Sequence, residues 1–333
     1  MPEPVLSVLI VGCGDIAGGY DESGNDAAVR THAGAYSRDT RFRITGCVEP
    51  DRVRREKFMA HWQVPRGFAD LAACLAAGES YDVASVCAPT AQHGDALQTL
   101  LEFPLRAVFA EKPLTGDADR SAALVDAYES AARPLAVNFL RRFDPVIDGL
   151  RSEIAAGSWG RLQSGTVHYA KGLINCGSHA IDLLRFLVGE LRPVDVSGVV
   201  HDYQLADPTV SARLETDAGA PVHLIGCDSR MHFPFEIELM FQKGKVSLED
   251  LGTRVRRRRV RPHPLFLHQP TLDDGAWIET ELPYALANGV AALCDHLTDG
   301  RPLISDGRSA LATEQVCAKL MGMAQQFSEG EHG

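Results

Sequence analysis

The sequence predicts an α/β protein in which a doubly wound parallel sheet is followed by an α+β domain with a large open mixed or antiparallel sheet. Three observations predict this architecture. Short apolar strands alternate with helices up to about residue 144, a glycine-rich turn follows the first strand, and strand-like segments follow one another with few helices from residue 162. We therefore predict a first domain over 1–137 and a second domain over 138–333.

The first domain is predicted to be a parallel sheet with helices on both faces. Its strand-like segments are 5–12, 41–50, 82–89, 106–113 and 134–143. Its helix-like segments are 51–62, 91–103 and 117–132. The strands are largely continuous apolar runs, which is typical of parallel strands that are covered by helices on both sides.

The second domain shows a different pattern, because most of its strand-like segments have no helix between them. These segments are 162–170, 194–203, 209–216, 222–229 and 235–242, and the helix-like segments are 144–156, 178–188, 284–299 and 307–327. Consecutive strands of this kind predict an antiparallel or mixed sheet. No apolar run approaches the length of about 18 residues that a membrane helix needs, so no membrane partner is predicted.

Composition and charge narrow the possible functions. The 333 residues are 45% hydrophobic and 23% charged, with a formal net charge of −11. An acidic chain is a poor general binder of nucleic acid, so the arginine-rich stretch 254–263 is interpreted as a solvated strand edge or a subunit contact. The eight cysteines have no CxxC spacing, which indicates neither a zinc site nor a redox pair, and free thiols favour a cytoplasmic location.

The first strand is followed directly by the spacing Gly12-x-Gly14-x-x-Ala17 in the stretch VLIVGCGDIAGG. In a dinucleotide-binding domain the first glycine permits a tight turn and the second lets backbone N–H groups approach a pyrophosphate. The small third residue lets the following helix pack closely. Asp15 and Ile16 lie on the same turn. The strand before this motif gives the required context, and we predict a dinucleotide site here.

An acidic residue, Glu49, ends the second strand. A carboxylate at this place accepts hydrogen bonds from the adenosine ribose, which favours NAD over NADP. Arg52 and Arg54 could instead serve a 2′-phosphate, so NADP stays open. The usual gap is about 20 residues, whereas Glu49 follows Gly14 by 35 residues. This gap predicts an insertion, for which the polar stretch 18–32 is the candidate, either beside the cofactor or as an ordinary surface loop.

The stretch FAEKPLT places Glu111, Lys112 and Pro113 at the carboxyl end of a predicted parallel strand, the edge at which such sheets bind ligands. The proline restricts Lys112 to extended geometry, and a cis peptide bond would turn the lysine toward a ligand. A lysine beside a positively charged nicotinamide can hold or deprotonate an alcohol. The alternative is a surface lysine at a strand end.

A second candidate for proton transfer lies in the stretch KGLINCGSHAID. Ser178 is predicted to be the N-cap of an apolar helix, which puts His179 in the first turn, where the helix dipole favours the neutral ring. Asp182, three residues later, could orient that ring. The alternative is a first-turn histidine that only satisfies local hydrogen bonds.

Taken in order, these motifs resemble those of the glucose–fructose oxidoreductase/inositol dehydrogenase family (Gfo/Idh/MocA). The resemblance rests on the glycine motif, the acidic strand end, CAPTAQH (87–93), AEKPL (110–114), NFLRRFDP (138–145), GSHAIDLL (177–184) and LISDGRSA (303–310). It implies an N-terminal Rossmann domain and a C-terminal domain whose open sheet often packs against a partner subunit. It also implies hydride transfer between NAD(P) and a hydroxyl-bearing carbon of a sugar, cyclitol or related polyol.

The resemblance also implies roles for individual residues. Lys112 matches the family's catalytic lysine and His179 its catalytic histidine. Asn175 stands where the family often has an aspartate, and an asparagine can bind a substrate hydroxyl but cannot act as a carboxylate base. Further residues implied to border the cofactor are Pro89, Thr90, His93 and Glu111. Further residues implied to contact the substrate are Arg142, Tyr169 and Lys171. Lys112 and His179 are then expected to face each other across an interdomain cleft.

Three hypotheses for the function follow. The first is an NAD(P)-dependent dehydrogenase that acts on a secondary alcohol or ketone of a sugar, amino sugar, nucleotide sugar or cyclitol. The second is a non-enzymatic regulator that senses the dinucleotide. The third is a redox-neutral sugar-modifying enzyme that uses tightly bound NAD. The open C-terminal sheet predicts a homodimer or homotetramer, and no metal is predicted.

Overall fold

A computed structural model of the chain describes residues 5–22, 28–266 and 268–330. The chain forms two compact units, of which the first comprises Met1–Phe143 with Pro283–Ala312, and the second comprises Asp144–Leu282 with Thr313–Gly333. The predicted domain boundary between residues 137 and 138 differs from this division. The main reason is that the segment 283–312, which was assigned to the second domain, packs in the first unit. Leu286, Val290 and Leu293 of this segment are buried in the core of the first unit.

Within the described residues, six parallel strands form the sheet of the first unit. They are β1 (Leu6–Val11), β2 (Phe42–Val48), β3 (Arg66–Phe68), β4 (Val83–Val86), β5 (Ala107–Ala110) and β6 (Leu135–Val137), in the spatial order β3-β2-β1-β4-β5-β6. The direction of winding reverses between β1 and β4, and sheets of this kind bind ligands outside the carboxyl ends of the strands at that place. The predicted doubly wound sheet is confirmed.

The helices of the described chain are α1 (His32–Arg38), α2 (Arg52–Trp62), α3 (Leu71–Ala76), α4 (Thr90–Leu100), α5 (Ala118–Ser130), α6 (Pro145–Ala155), α7 (Ser178–Val188), α8 (Ala285–Asp299) and α9 (Gly307–Gly330). Helices α6, α7 and the part of α9 from residue 313 belong to the second unit. Several begin at an aspartate whose carboxylate accepts backbone N–H groups of the first turn, as Asp51, Asp70 and Asp117 do.

The insertion predicted over 18–32 interrupts the first helix of the nucleotide-binding fold. The chain makes one helical turn after Gly14 and then departs from the helical path. The helix resumes at His32. The His32 N–H donates to the Ile16 carbonyl at 3.1 Å, and the Ala33 N–H donates to the Ala17 carbonyl at 2.8 Å. His32 therefore occupies the place of a residue four after Ile16, which makes the insertion twelve residues long. Residues 23–27 lie outside the described residues.

The sheet of the second unit is mixed. Its strands are β7 (Leu162–Tyr169), β8 (Leu191–Gln204), β9 (Asp207–Thr216), β10 (Pro221–Gly226), β11 (Phe235–Phe241), β12 (Gly244–Glu249), β13 (Arg254–Arg261), β14 (Thr271–Leu272) and β15 (Ala276–Glu279). The order is β14-β13-β12-β11-β7-β10-β9-β8, with β15 beside β13. β7 and β10 pair parallel, whereas the other described pairs are antiparallel. The predicted open mixed sheet is confirmed.

One face of this sheet forms the core of the second unit. Along β11, Phe235, Ile237 and Leu239 are buried, whereas Glu236 and Glu238 between them are exposed. Such alternation is typical of a sheet with one buried and one solvated face. Apolar residues of α6, α7 and α9 belong to the same buried cluster as the inner face, so these helices cover that side.

The arginine-rich stretch forms β13, and its side chains have partners within their own unit. Arg257 lies 2.6 Å from a carboxylate oxygen of Glu153, and the guanidinium groups of Arg254 and Arg256 lie 4.6 and 5.2 Å from the ring centroid of Trp277. These contacts use the guanidinium groups for packing and ion pairing. β13 pairs with β12 on one side and with β14 and β15 on the other, so the interpretation of this stretch as a strand edge is wrong.

Candidate functional site

The two glycines of the glycine-rich turn have different surroundings. The fold requires a glycine at Gly12, whereas the space beside Gly14 is open. Gly12 has φ +89°, and a Cβ atom there would lie 2.6 Å from the Ala88 backbone nitrogen. A Cβ atom on Gly14 would have no atom of the described residues within 4 Å. Ala17 is fully buried, whereas Asp15 beside it is exposed. The space beside Gly14 is therefore of the kind that a pyrophosphate needs for close approach to the backbone. The remaining residue of the predicted turn, Ile16, is half-buried.

Glu49 follows β2 and is held against the glycine turn. One carboxylate oxygen accepts the Cys13 N–H at 3.0 Å, and the other accepts the Asp51 N–H at 3.1 Å. The Arg54 guanidinium lies 3.3 Å from the second oxygen. The carboxylate is thus oriented by backbone donors at the place where a ribose would be bound, and Arg54 is drawn to the carboxylate.

The residues near the start of α4 that are implied to border the cofactor differ in what they can contact. Pro89 and Thr90 are exposed at the start of α4, directly after β4. His93 is buried, and its two ring nitrogens each lie 2.7 Å from a backbone carbonyl, one of Pro113 and one of Ala88. His93 is predicted to border the cofactor, and with both nitrogens beside backbone carbonyls its ring is engaged by the protein itself.

The Glu111-Lys112-Pro113 turn follows β5, and the peptide bond between Lys112 and Pro113 is cis. Lys112 is half-buried. The Glu111 carboxylate accepts a hydrogen bond from the Asn138 amide at 2.6 Å and lies 2.9 Å from the Nε2 atom of His32. Burial raises the pKa of Glu111, but the hydrogen bonds and the charge of Lys112 outweigh it and leave the pKa below its usual value.

The sequence analysis missed His32, which it placed in a polar insertion. The side chain is fully buried at the first position of α1, and its Nδ1 atom lies 3.2 Å from the Ser85 hydroxyl. That hydroxyl lies 2.9 Å from the Tyr36 hydroxyl. The apolar and small residues after His32 are the available signal, since they predict that the helix resumes there.

The helix that carries His179 does not begin as predicted. A π-helical segment, Gly172–Gly177, runs directly into α7, and Gly177 already has helical dihedral angles. The Ser178 hydroxyl donates to the Ile174 carbonyl at 2.6 Å, so Ser178 is an interior helical residue and not an N-cap. The prediction that His179 lies in a free first turn is therefore wrong, because the carbonyl groups of the π-helix precede it.

The N-terminus of this continuous helical segment is instead capped from strand β9. The Asp207 carboxylate accepts the N–H groups of Ile174 and Asn175 at 2.7 and 2.9 Å, and the Thr209 hydroxyl accepts the Gly172 N–H at 2.8 Å. Backbone donors at a helix start need such acceptors when they are removed from water. No local sequence pattern predicts these contacts, because the acceptors lie more than thirty residues away.

Asp202, near the end of β8, connects this segment to a further loop. Its carboxylate accepts hydrogen bonds from the Lys171 N–H at 2.8 Å, the Ser229 N–H at 2.9 Å and the Thr209 hydroxyl at 2.6 Å. Burial raises the pKa of Asp202, but these hydrogen bonds outweigh it and lower the pKa below its usual value. Lys171 has φ +68°, and its ammonium lies 5.7 Å from the ring centroid of Tyr203.

Asn175 and His179 are both half-buried in the second unit. The Asn175 amide donates to the Lys171 carbonyl at 3.1 Å. Asp182, which was predicted to orient His179, is buried and accepts a hydrogen bond from the Thr313 hydroxyl at 3.2 Å. Asp182 therefore connects α7 to α9.

Two predicted substrate contacts are corrected by burial. Tyr169 is fully buried, and its hydroxyl both donates to the Val210 carbonyl at 2.8 Å and accepts the Val210 N–H at 2.9 Å. Arg142 is buried in the first unit and donates to the Ile304 carbonyl at 3.1 Å. Both side chains serve the packing of their own unit, because apolar and basic residues at strand ends are used for anchoring as readily as for binding.

In residues 5–22, 28–266 and 268–330, no group of three or more His, Cys, Asp and Glu side chains could hold a metal ion. No helix of the described chain has the length and apolarity that crossing a membrane requires.

Comparisons with known proteins agree with the motifs. The model of the Gfo/Idh/MocA oxidoreductase family, which describes an NAD-binding Rossmann fold, matches residues 6–139. An inositol 2-dehydrogenase of Rhizobium meliloti is 27% identical over an alignment that covers 76% of this chain and 82% of that protein. A myo-inositol dehydrogenase, Hyg17 of Streptomyces leeuwenhoekii, is 32% identical over 47% of this chain and 44% of its own length.

Solved structures share the fold of the whole chain. The WlbA dehydrogenase of Bordetella pertussis, in complex with NADH and UDP-GlcNAcA, has a TM-score of 0.77 at 20% identity and covers 97% of both chains. The predicted NAD-binding domain and the predicted family resemblance are confirmed by these comparisons together.

Proposed function

Because residues 6–139 match the model of the NAD-binding Gfo/Idh/MocA oxidoreductases, we propose that the chain oxidises the secondary alcohol, or reduces the corresponding ketone, of a cyclitol or sugar. The similarity to inositol 2-dehydrogenases supports a cyclitol or a related polyol as the first class to test. Amino sugars and nucleotide sugars belong to the same proposal, since both carry secondary hydroxyl groups. The observation that carries it is the half-buried Lys112, which directly follows the half-buried Glu111 carboxylate at the carboxyl edge of the parallel sheet.

The residues of the first unit fit NAD. The open space at Gly14 would accept the pyrophosphate, and Glu49 would accept hydrogen bonds from the adenosine ribose. Pro89 and Thr90 would border the nicotinamide from the start of α4. Bound NAD supplies the hydride acceptor or donor, and the chemistry of the redox step belongs to it.

Lys112 is proposed to hold the substrate hydroxyl and to take its proton as the hydride leaves. An amine can do this only within hydrogen-bond distance of the hydroxyl, so the position of Lys112 matters as much as its protonation. The family resemblance supports His179 as a second group for this proton. Asn175 would bind a hydroxyl through its amide, because it lacks the carboxylate that the family often has there.

The test is the formation of NADH from NAD by the purified chain with a panel of cyclitols, sugars, amino sugars and nucleotide sugars. Lys112→Met should lower kcat/KM by about 100-fold or more, the size of a general acid–base contribution, while NAD affinity stays within about threefold. His179→Asn should lower it as well. Lys319→Met is the matched control, because Lys319 is exposed on α9, and it should behave as the parent chain.

Other outcomes separate the alternative hypotheses. NAD binding without turnover of any compound would favour a regulator that senses the dinucleotide. Product formation without net NADH would favour redox-neutral sugar chemistry with retained cofactor. Equal activity of Lys112→Met and Lys319→Met would contradict the role of Lys112.

The outward face of the second unit's sheet is proposed to bind another copy of the chain. It carries acidic residues on β11 and basic residues on β13, so two copies could pair opposite charges. Trp277 is 39% exposed on the same sheet and adds apolar surface. Light scattering should give the mass of a dimer or tetramer, and a monomer at micromolar concentration would contradict this.

A further inference from the structure

Two buried histidines hold the residues on either side of Lys112. His32 contacts Glu111, the residue before it, and His93 contacts the carbonyl of Pro113, the residue after it. Both rings are inaccessible to solvent, with exposed fractions of 0% and 1%. Each ring contacts protein groups on both of its nitrogens, which raises the question of what these buried polar groups do.

We propose that His32 is a positioning residue for Lys112: it acts through Glu111, whose carboxylate it holds in place and keeps ionised beside the lysine. This inference rests on the proposed function of Lys112 and adds to it. His32 does not touch the reacting atoms in this account.

The geometry of the network supports this role. The His32 ring lies between two partners, with Nε2 2.9 Å from a Glu111 carboxylate oxygen and Nδ1 3.2 Å from the Ser85 hydroxyl. Its ring centroid lies 5.0 Å from that of Phe109 on β5, which fixes the plane of the ring. A ring bound at both nitrogens and packed on one face has little freedom to turn. The carboxylate that it contacts is therefore fixed too.

The charges around Glu111 support the second part of the proposal. A buried carboxylate is normally protonated more easily than an exposed one. Here His32 on α1 and Asn138 after β6 hydrogen-bond the carboxylate, and Lys112 beside it is cationic when protonated. The buried Cys87 thiol, which follows β4, is the other titratable group near it. A negative charge on Glu111 favours the ammonium form of Lys112, so the network links His32 to the protonation of the lysine.

The insertion in the first helix does not displace His32 from its contact with Glu111. Fifteen residues separate Ile16 from His32, twelve more than in an uninterrupted helix, yet the helical hydrogen bonds across the insertion place His32 where an uninterrupted helix would place it. The Thr31 hydroxyl caps the resumed helix by accepting the Gly34 N–H at 3.1 Å, and the Asp21 carboxylate in turn accepts the Thr31 N–H at 3.0 Å. The local structure thus fixes the start of α1, and with it the His32 ring.

The test measures Lys112 directly, so that it does not depend on knowing the substrate. The parent chain and variants are labelled briefly with an amine-acylating reagent between pH 6 and 10, and the Lys112 peptide is quantified by mass spectrometry against the peptide of Lys319. His32→Leu removes the hydrogen bond to Glu111, whereas His32→Gln keeps an N–H donor. His296→Gln is the control, because this ring contacts only the Arg301 carbonyl among the described hydrogen bonds.

In His32→Leu, the Glu111 carboxylate loses the donor that holds it in place, so its negative charge should be less well positioned beside Lys112. The weaker interaction should move the labelling midpoint of Lys112 to lower pH by about 0.5 unit, and Glu111→Gln, which removes the charge, should move it by about 0.5 to 1 unit. His32→Gln should restore at least half of the His32→Leu shift, and His296→Gln should cause none.

A double-mutant cycle tests whether His32 acts through the carboxylate. Glu111→Gln should reproduce the shift, and adding His32→Leu to Glu111→Gln should change the midpoint little further, since the two changes remove one interaction. Additive shifts would overturn the proposal, and so would an unchanged midpoint in both His32 variants. If His32→Leu fails to fold, the other two variants still test the proposal. His32→Gln should shift the labelling midpoint of Lys112 only slightly, whereas Glu111→Gln should shift it fully.

The outcome is separable from that of the proposed function. If the parent chain turns over no compound but the labelling shifts occur, the network is supported and the dehydrogenase proposal fails. If turnover depends on Lys112 but the labelling midpoint of Lys112 is unchanged in the His32 and Glu111 variants, the dehydrogenase proposal is supported and the positioning role is overturned. In an active chain, His32→Leu should lower kcat for ketone reduction, in which the Lys112 ammonium donates the proton, by about tenfold while the KM for NADH changes by less than about threefold.

Discussion

The two proton-transfer candidates, Lys112 and His179, are held by different chemistry. Lys112 follows a buried strand, and the residues beside it are hydrogen-bonded by the rings of His32 and His93. His179 follows a π-helical segment whose N–H groups are bound by carboxylates from distant strands, chiefly Asp207. Both arrangements fix the backbone near a candidate side chain.

This difference has consequences for stability. Folding lowers the pKa of Asp202, which accepts the Lys171 N–H at the start of the segment before His179, so this segment should weaken in acid. The turn at Lys112 depends on a network of neutral and charged groups that lies within one compact core. We therefore expect Lys112 and His179 to respond differently to pH and to mutation, even though the family resemblance assigns both to one reaction.

The largest effect is expected from Asp207→Ala. This change leaves the N–H groups of Ile174 and Asn175 without their acceptor in a half-buried place, which should cost about 2–4 kcal/mol of unfolding free energy. Asp217→Ala, at an exposed turn, is the control and should change it by less than about 0.5 kcal/mol. Chemical denaturation measures both, and equal effects would show that the cap does not hold the segment.

A smaller effect, with a defined pH dependence, is expected from Asp202→Asn. The pKa of Asp202 is lowered by folding, so its contribution to stability is present above the unfolded pKa of about 4 and is lost as pH falls through the folded value. At pH 7 the variant should lose about 1–2 kcal/mol of unfolding free energy. At pH 3 the difference from the parent chain should be smaller. A difference that is the same at both pH values would contradict the role of the charge.

The smallest effect is expected from Asn175→Asp, which restores the residue that the family often has. The carboxylate cannot donate to the Lys171 carbonyl, so stability should fall by about 0.5–1 kcal/mol. The added charge precedes His179 by about one helical turn and favours the imidazolium. The acidic limb of the pH–rate profile should therefore move up by about 0.5 unit. Asn175→Ala loses the same hydrogen bond without adding charge, and it should leave the limb in place.

Much of the fold and part of the site could be predicted from the sequence. The glycine motif, the Glu49 strand end and the Lys112 turn all follow apolar strands, and in a parallel sheet residues that follow strands meet at one edge. Tyr169, Arg142 and His93 are contacts that the family resemblance implies. Their burial could not be predicted, because spacing along a strand does not tell which side chains the core accepts.

The sequence by itself determined the architecture, the dinucleotide motif and the existence of an insertion, since these depend on local periodicity and on glycines whose geometry is dictated within a few residues. The tertiary structure alone decided that the insertion preserves the place of His32 and that Asp207 caps the segment before His179. Both depend on hydrogen bonds between groups that are distant along the chain, such as the 79 residues between His32 and Glu111. Packing of the whole unit brings such groups together, and no local pattern encodes that packing.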